Sequence, residues 1–386
     1  MTPRERLLTV LAGKIPDCVP ATPDLSNMVP ARLTGKKFWD IYLYDDPPIW
    51  LAHINCVKHF GFDGFVDGMV RVYFEDMDPG RFETNEYIVK REEDKIYTRF
   101  GKEANGKVFW NNEVRIYFPD NVPVYVPLEK AGFRGEPVYY EKVEKRNKFP
   151  SGEAMLKLAK HEMGDQGLIG VTCGISNLIS SEDQVYDFYD DPEAFDEKRD
   201  RLLDYYEKRF ERLKSLETKP DFICTGASGT LVFQTVETFR RLGLPIVKKV
   251  TKLCRDNGFF SHIHSCGPSK ELIKICAEET DLTVIDPLEL PPMGDCILSE
   301  IKQKYGDRLV IKGNLHTTNT MLLGSADYVA EMSRQAIDDG ARGGKFILST
   351  GDQCGRDTPD ENIYAMIETA RTYGRYKPDG TVVGNS

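Results

Sequence analysis

The chain has no run of about 18 apolar residues, the length a helix needs to cross a bilayer, so a membrane span is excluded. A basic excess is also missing. Against 61 Asp and Glu stand 51 Lys and Arg, a formal net charge of −10, and no cationic stripe interrupts the balance. That excludes nucleic acid as a partner and leaves a protein with a complementary surface open. No continuous apolar segment follows Met1, so a signal peptide is not expected. The nine cysteines are odd in number and lack paired spacing, which excludes a disulfide framework. They read as reduced thiols of a cytoplasmic protein. No internal repeat or low-complexity tract is present.

What is present is an alternation of short apolar runs with longer amphipathic ones. Strands are expected at residues 19–22, 62–66, 168–172, 221–225, 259–264, 282–285, 308–312 and 346–348. Helices are expected between the later ones, over 192–217, 236–257, 269–279, 299–305, 326–340 and 359–373, the first of these opened by Asp191-Pro192-Glu193. Thr2, Pro3 and Glu5 form the cap, first-turn proline and capping box of an N-terminal helical extension. Eight strands alternating with helices predict a (β/α)8 TIM-type barrel, although an open doubly wound sheet would read much the same. Residues from about 70 to 147 break the rhythm with aromatic, β-rich runs at 71–74, 87–90, 95–99, 107–110 and 113–118. They predict a β-meander inserted into a single domain spanning 1–386. It would cover one barrel end, wall the substrate pocket or provide a docking face.

The strand ending at His264 is followed by Ser265, Cys266 and Gly267. Residues two apart on a strand share a face, so His264 and Cys266 can reach one ion. Cys354 follows another expected strand. An ordinary buried histidine and a small buried thiol would account for either residue alone. Together, at strand ends where barrels collect catalytic residues, the three favour zinc with an open fourth position. Glu289, after its own strand, could supply an oxygen ligand or hold a water, and His262 reads as a packed residue orienting a ligand. The other seven cysteines read as structural.

The chain also resembles the uroporphyrinogen decarboxylase superfamily, and within it the corrinoid (cobalamin)-dependent zinc methyltransferases. The resemblance rests on the opening Pro3-Arg-Glu-Arg-Leu-Leu and Ile15-Pro-Asp-Cys-Val-Pro20, on residues 239–245 before His-Ser-Cys-Gly, and on Lys304-Tyr-Gly-Asp-Arg308, Lys312-Gly-Asn-Leu315 and Asp357-Thr-Pro-Asp-Glu-Asn-Ile363. It implies zinc held by His264, Cys266 and Cys354. It also implies methyl transfer between a small molecule and cobalamin on a separate corrinoid carrier protein, since no Asp-x-His-x-x-Gly carrier motif occurs here. Tyr73, Phe74, Phe109, Trp110 and Tyr117 would suit an aromatic methyl ether, which points to O-demethylation. Asp24, Asn27, Asp67, Asn177 and Asp352 are candidate substrate contacts, and no catalytic residue beyond the metal site can be named. Methylcobalamin-to-thiol transfer is an alternative. So is decarboxylation of a tetrapyrrole, although Arg32 is the only arginine near the first strand where that activity needs several. A homo-oligomer stays open.

Overall fold

The computed structural model describes residues 1–385. Among them, seven parallel strands lie side by side in chain order: Gly64–Val66, Gly167–Thr172, Phe222–Cys224, Phe260–His264, Val284–Asp286, Val310–Leu315 and Phe346–Thr350. The expected first strand is an extended segment that closes the ring. Thr22 donates its N–H to the Leu348 carbonyl (2.8 Å), and the Leu348 N–H returns to Pro20 (2.9 Å). On the other side the Asp63 N–H reaches the Ala21 carbonyl (2.9 Å), and the Asp63 carboxylate accepts from Ala21 (2.9 Å). The segment thus joins the last strand to the first, and the fold is an α/β barrel of TIM type.

The helices follow for the reasons their sequences give. Thr2 caps Pro3–Leu11 with the expected reciprocal bonds to Glu5, and Asp191 caps Pro192–Ser215 through the Ala194 N–H (3.1 Å). The helix Val236–Asp256 buries Phe239, Leu242, Ile246, Val247 and Val250, a stripe at helical spacing laid against the outward strand residues Ile223 and Ile263.

Period-two alternation divides each barrel strand between two cores. Ile169, Ile223, Ile263, Ile285 and Ile311 pack outward against helices. Leu168, Phe222, Val284, Val310 and Ile347 point inward, where Leu7, Val10 and Leu11 of the first helix plug the barrel's lower end. One pleat further along the same inward face the residues become polar: Asp67, His262, Asp286 and Lys312. The chemistry begins there.

The inserted segment is a six-stranded antiparallel sheet over Thr84–Lys142, with its own small cores around Tyr117 and Val114. The run at 71–74 departs from expectation and forms no strand. Its backbone is satisfied by side chains instead, with Arg209 donating to the Val72 carbonyl (2.8 Å) and the Asp78 carboxylate accepting from the Phe74 N–H (2.9 Å). Val72 and Phe74 are drawn into the helical core.

Candidate metal centre and its cleft

The strand Phe260–His264 carries His262 and His264 to the C-terminal mouth of the barrel, and Gly267, at φ +81°, lets the chain turn sharply just beyond Cys266. Asp286, fully buried on the neighbouring strand in register with His264, is the hub. Its Oδ1 accepts from His262 Nε2 (2.9 Å) and His264 Nδ1 (3.2 Å), and its Oδ2 from the buried Lys312 ammonium. Burial opposes charge on Asp286, but Lys312, His262 and His264 outweigh it and hold the carboxyl well below its usual range. Burial likewise opposes a charged His264, yet Asp286, Cys266 and Asp67 raise its pKa well above that of a free imidazole.

Two sets of ligand-type atoms gather here, each within 4.8 Å: Asp67, His264 and Asp286, and then Cys266, Glu289 and Asp352. His264 links them through its hydrogen bond with Cys266 and by Nε2, 3.6 Å from Asp352. Glu289 is buried and accepts the Gly267 N–H, while Cys266 Sγ lies 2.7 Å from the Ser228 hydroxyl. Asp352 sits at φ 145°, a conformation unusual for a side chain larger than glycine's and held here by the Thr350 hydroxyl bond to its carbonyl (2.8 Å). Burial, with Asp24 and Glu289 nearby, raises its pKa despite His264. An imidazole with two carboxylates, and next to it a thiol with two more, offer donor types that a divalent ion takes. The carboxylates around His264 that raise its pKa are the same groups that would favour a cation at this place.

Cys354 belongs to neither set. It is buried, its N–H bonds to the Asp24 carbonyl (2.8 Å), and burial pushes its thiol up to about 12. The other seven cysteines are buried free thiols. Of the candidate substrate contacts, Asp24, Asn27 and Asp67 line the large cleft above the centre and Asp352 stands beside His264. Asn177 lies outside the lining and donates to the Ser228 carbonyl (3.1 Å). Sequence reasoning missed Asp286 and Lys312 as site residues. The available signal was a charged residue two places after an inward apolar one in each of two neighbouring buried strands.

The cleft measures about 1060 Å³. Of the five aromatics expected in it only Tyr73 lines it. Phe74 and Tyr117 are buried in cores, Trp110 packs on Tyr87 and Tyr140, and Phe109 is exposed. Strand aromatics serve the insertion's own packing first. The cleft's aromatic wall comes instead from Tyr42, Trp50, Tyr73, Phe82 and Phe149.

Residues 184–373 match the family model described as Uroporphyrinogen decarboxylase (URO-D). A solved methyltransferase from Methanosarcina mazei is similar, with a TM-score of 0.59 and 15% identity over 96% of this chain and 98% of that one. At that identity the likeness is one of fold. No curated protein matches the chain. No helix among the described residues is long and apolar enough to cross a membrane.

Proposed function

Because the chain belongs to the uroporphyrinogen decarboxylase superfamily, we propose that it is a zinc-dependent methyltransferase. It moves a methyl group between a small molecule, best an aromatic methyl ether, and the cobalt of a corrinoid held by a separate carrier protein. The observation that carries this reading is the meeting of His264 and Cys266, beside Glu289 and Asp352, at the open end of a barrel whose cleft has aromatic walls. The similar fold of a protein titled a methyltransferase supports it.

The ligands of this reading are His264 and Cys266, which meet through a hydrogen bond, and Cys354, which the resemblance implies although its thiol lies outside both sets, with Glu289 beside Cys266. Zinc bound there would supply Lewis acidity toward a leaving heteroatom, or favour the thiolate of an acceptor. The chain does the rest. Asp286 fixes the His264 ring through Nδ1 and leaves Nε2 turned toward Asp352. Lys312 neutralises Asp286 in turn, so the buried hub's charge is compensated within the protein. His264 and Cys354 must give up their protons to act as ligands, so metal uptake releases protons. Tyr42, with Trp50 and Phe149 packed edge to face (5.4 Å), would give a flat ring an aromatic wall to lie against. Val232, Phe233, Met293 and Leu323, on loops that follow barrel strands, expose apolar surface around the mouth suited to a carrier protein.

A tetrapyrrole bearing carboxylates around its whole rim would meet Asp24, Asp67, Asp352 and Glu289 at this end, which argues against the decarboxylase reading. The test is a panel of methylated compounds with cob(I)alamin, read by the visible spectrum of methylcobalamin. Formation by the wild type and none by Cys266→Ala is expected. Undiminished transfer after chelation, or metal-free turnover of a porphyrinogen, would overturn the proposal.

A further inference from the structure

Arginines around the barrel mostly close ion pairs: Arg4 with Asp221, Arg6 with Asp17 and Asp63, Arg209 with Asp78. Three that line the cleft do not. Arg71, from the loop after Gly64–Val66, and Arg81, from the short helix Pro79–Glu83, are exposed and have no carboxylate partner among the described residues. Arg115, from the inserted strand Glu113–Tyr117, is half-buried, and its Nε is buried without a hydrogen-bond partner among the described residues.

The acids nearest Arg115 are already engaged. Glu86 accepts the hydroxyls of Thr98 (2.7 Å) and Tyr117 (2.6 Å), and Asp45 pairs with Lys145 (3.5 Å). Two of the three guanidinium groups are nonetheless held in place. Arg115 lies over the rings of Tyr117 (4.8 Å) and Tyr125 (5.1 Å), and Arg81 over Tyr73 (5.3 Å). Stacking through the ring faces orients a guanidinium while leaving its in-plane N–H donors free, which is the preorganisation that carboxylate recognition uses. In a protein of net charge −10, three unpaired arginines facing one cleft form the local exception.

We infer that Arg71, Arg81 and Arg115 form an anion-binding subsite on the wall of the cleft, and that the molecule it accepts carries a carboxylate or sulfonate away from its methyl-bearing end. The anion subsite stands on the arginines alone; assigning the other end to a methyl group rests on the methyltransferase reading. The cleft is then bipolar. Cationic residues draw in the anionic end, and Asp24 and Asp67 repel it from the mouth of the barrel, so one orientation is favoured.

The test is calorimetric titration of the full-length protein with benzoate, ethanesulfonate and the neutral isostere benzamide. At least one anion should bind about tenfold or more tightly than benzamide, the size of one charge-assisted hydrogen bond. Arg115→Gln should weaken it about tenfold. Arg71→Gln, at an exposed position, should act in the same direction and serves if Arg115→Gln does not fold. Preference for benzoate assigns a carboxylate, and preference for ethanesulfonate a sulfonate. Binding should persist in His264→Ala, which separates arginine capture from coordination to a metal. Benzamide binding as tightly as the anions, no effect of either arginine variant, or loss of binding in His264→Ala would overturn the inference. Retained anion binding without any methyl transfer would instead remove the methyltransferase reading and leave the subsite standing.

Discussion

The barrel and the inserted sheet handle charge in opposite ways. Inside the barrel Asp286 and Lys312 are 0% and 5% exposed and satisfy each other and two histidines. On the insertion the pairs Lys102–Glu83, Lys142–Glu103 and Arg91–Glu141 are about half exposed, while Arg115 has no carboxylate pair among the described residues. Parallel strands covered by helices can keep a charge only if it is fully compensated, because desolvation is costly. An antiparallel sheet with a wet face has no such constraint. The barrel therefore positions chemistry with locked charges, and the insertion offers charges still free to meet a ligand.

The sharpest break of that contrast is His264→Ala. Methyl transfer should fall to background while benzoate binding survives; loss of binding but not of transfer would reverse the assignment of the two regions. Next comes the locked pair. Lys312→Met should destabilise the fold by about 3–5 kcal/mol in denaturant, because it strands the Asp286 charge in the interior. A double variant, Lys312→Met with Asp286→Leu, should recover much of that loss, and failure to recover would mean that the pair is not a closed unit. Asp286→Asn should also weaken metal binding about 10- to 100-fold, as loss of a ligand's orienting carboxylate does.

The acid limb of the stability profile gives a smaller effect. Burial would raise the Asp221 pKa, but Arg4, Lys160 (2.7 Å) and the Ile169 N–H (2.8 Å) lower it below its usual value. A depressed carboxyl stabilises the fold above its unfolded pKa, near 3.9, and that contribution disappears as pH falls through the depressed value. Asp221→Asn should flatten the loss of stability in that window, and an unchanged slope would contradict the pairing. On the insertion, Lys142→Met, which breaks the exposed pair with Glu103 and leaves Glu103 to the Tyr87 hydroxyl, should leave the unfolding midpoint unmoved, as exposed pairs do.

Much of this contrast was readable from residues, but unevenly. The barrel was legible because its strands and helices carry their own periods and caps; the helix Ala326–Gly340 falls where its pattern predicts. The pair His264 and Cys266 was legible because both belong to one strand end. Glu289 and Asp352 arrive from other strand ends, and only their place after an apolar run marked them. Asp286 and Lys312 were overlooked because a charge inside a short apolar strand looks like its terminus. The cleft aromatics were assigned to the wrong residues because a strand's period does not say which face meets a cavity. Arg115 could not be placed at all, since its neighbours Tyr117 and Tyr125 show stacking and not the space beyond.

The central claim is a metal held at the mouth of the barrel, and metal analysis joined to zinc-edge X-ray absorption tests it most directly. About one zinc per chain is expected, with both nitrogen and sulfur in its coordination shell. In the paired variant His264→Ala, Cys266→Ala the metal should be lost while the far-ultraviolet spectrum stays that of the folded barrel. A zinc-supplemented wild type that purifies without the ion, or a variant that retains it in an unchanged shell, would contradict the claim.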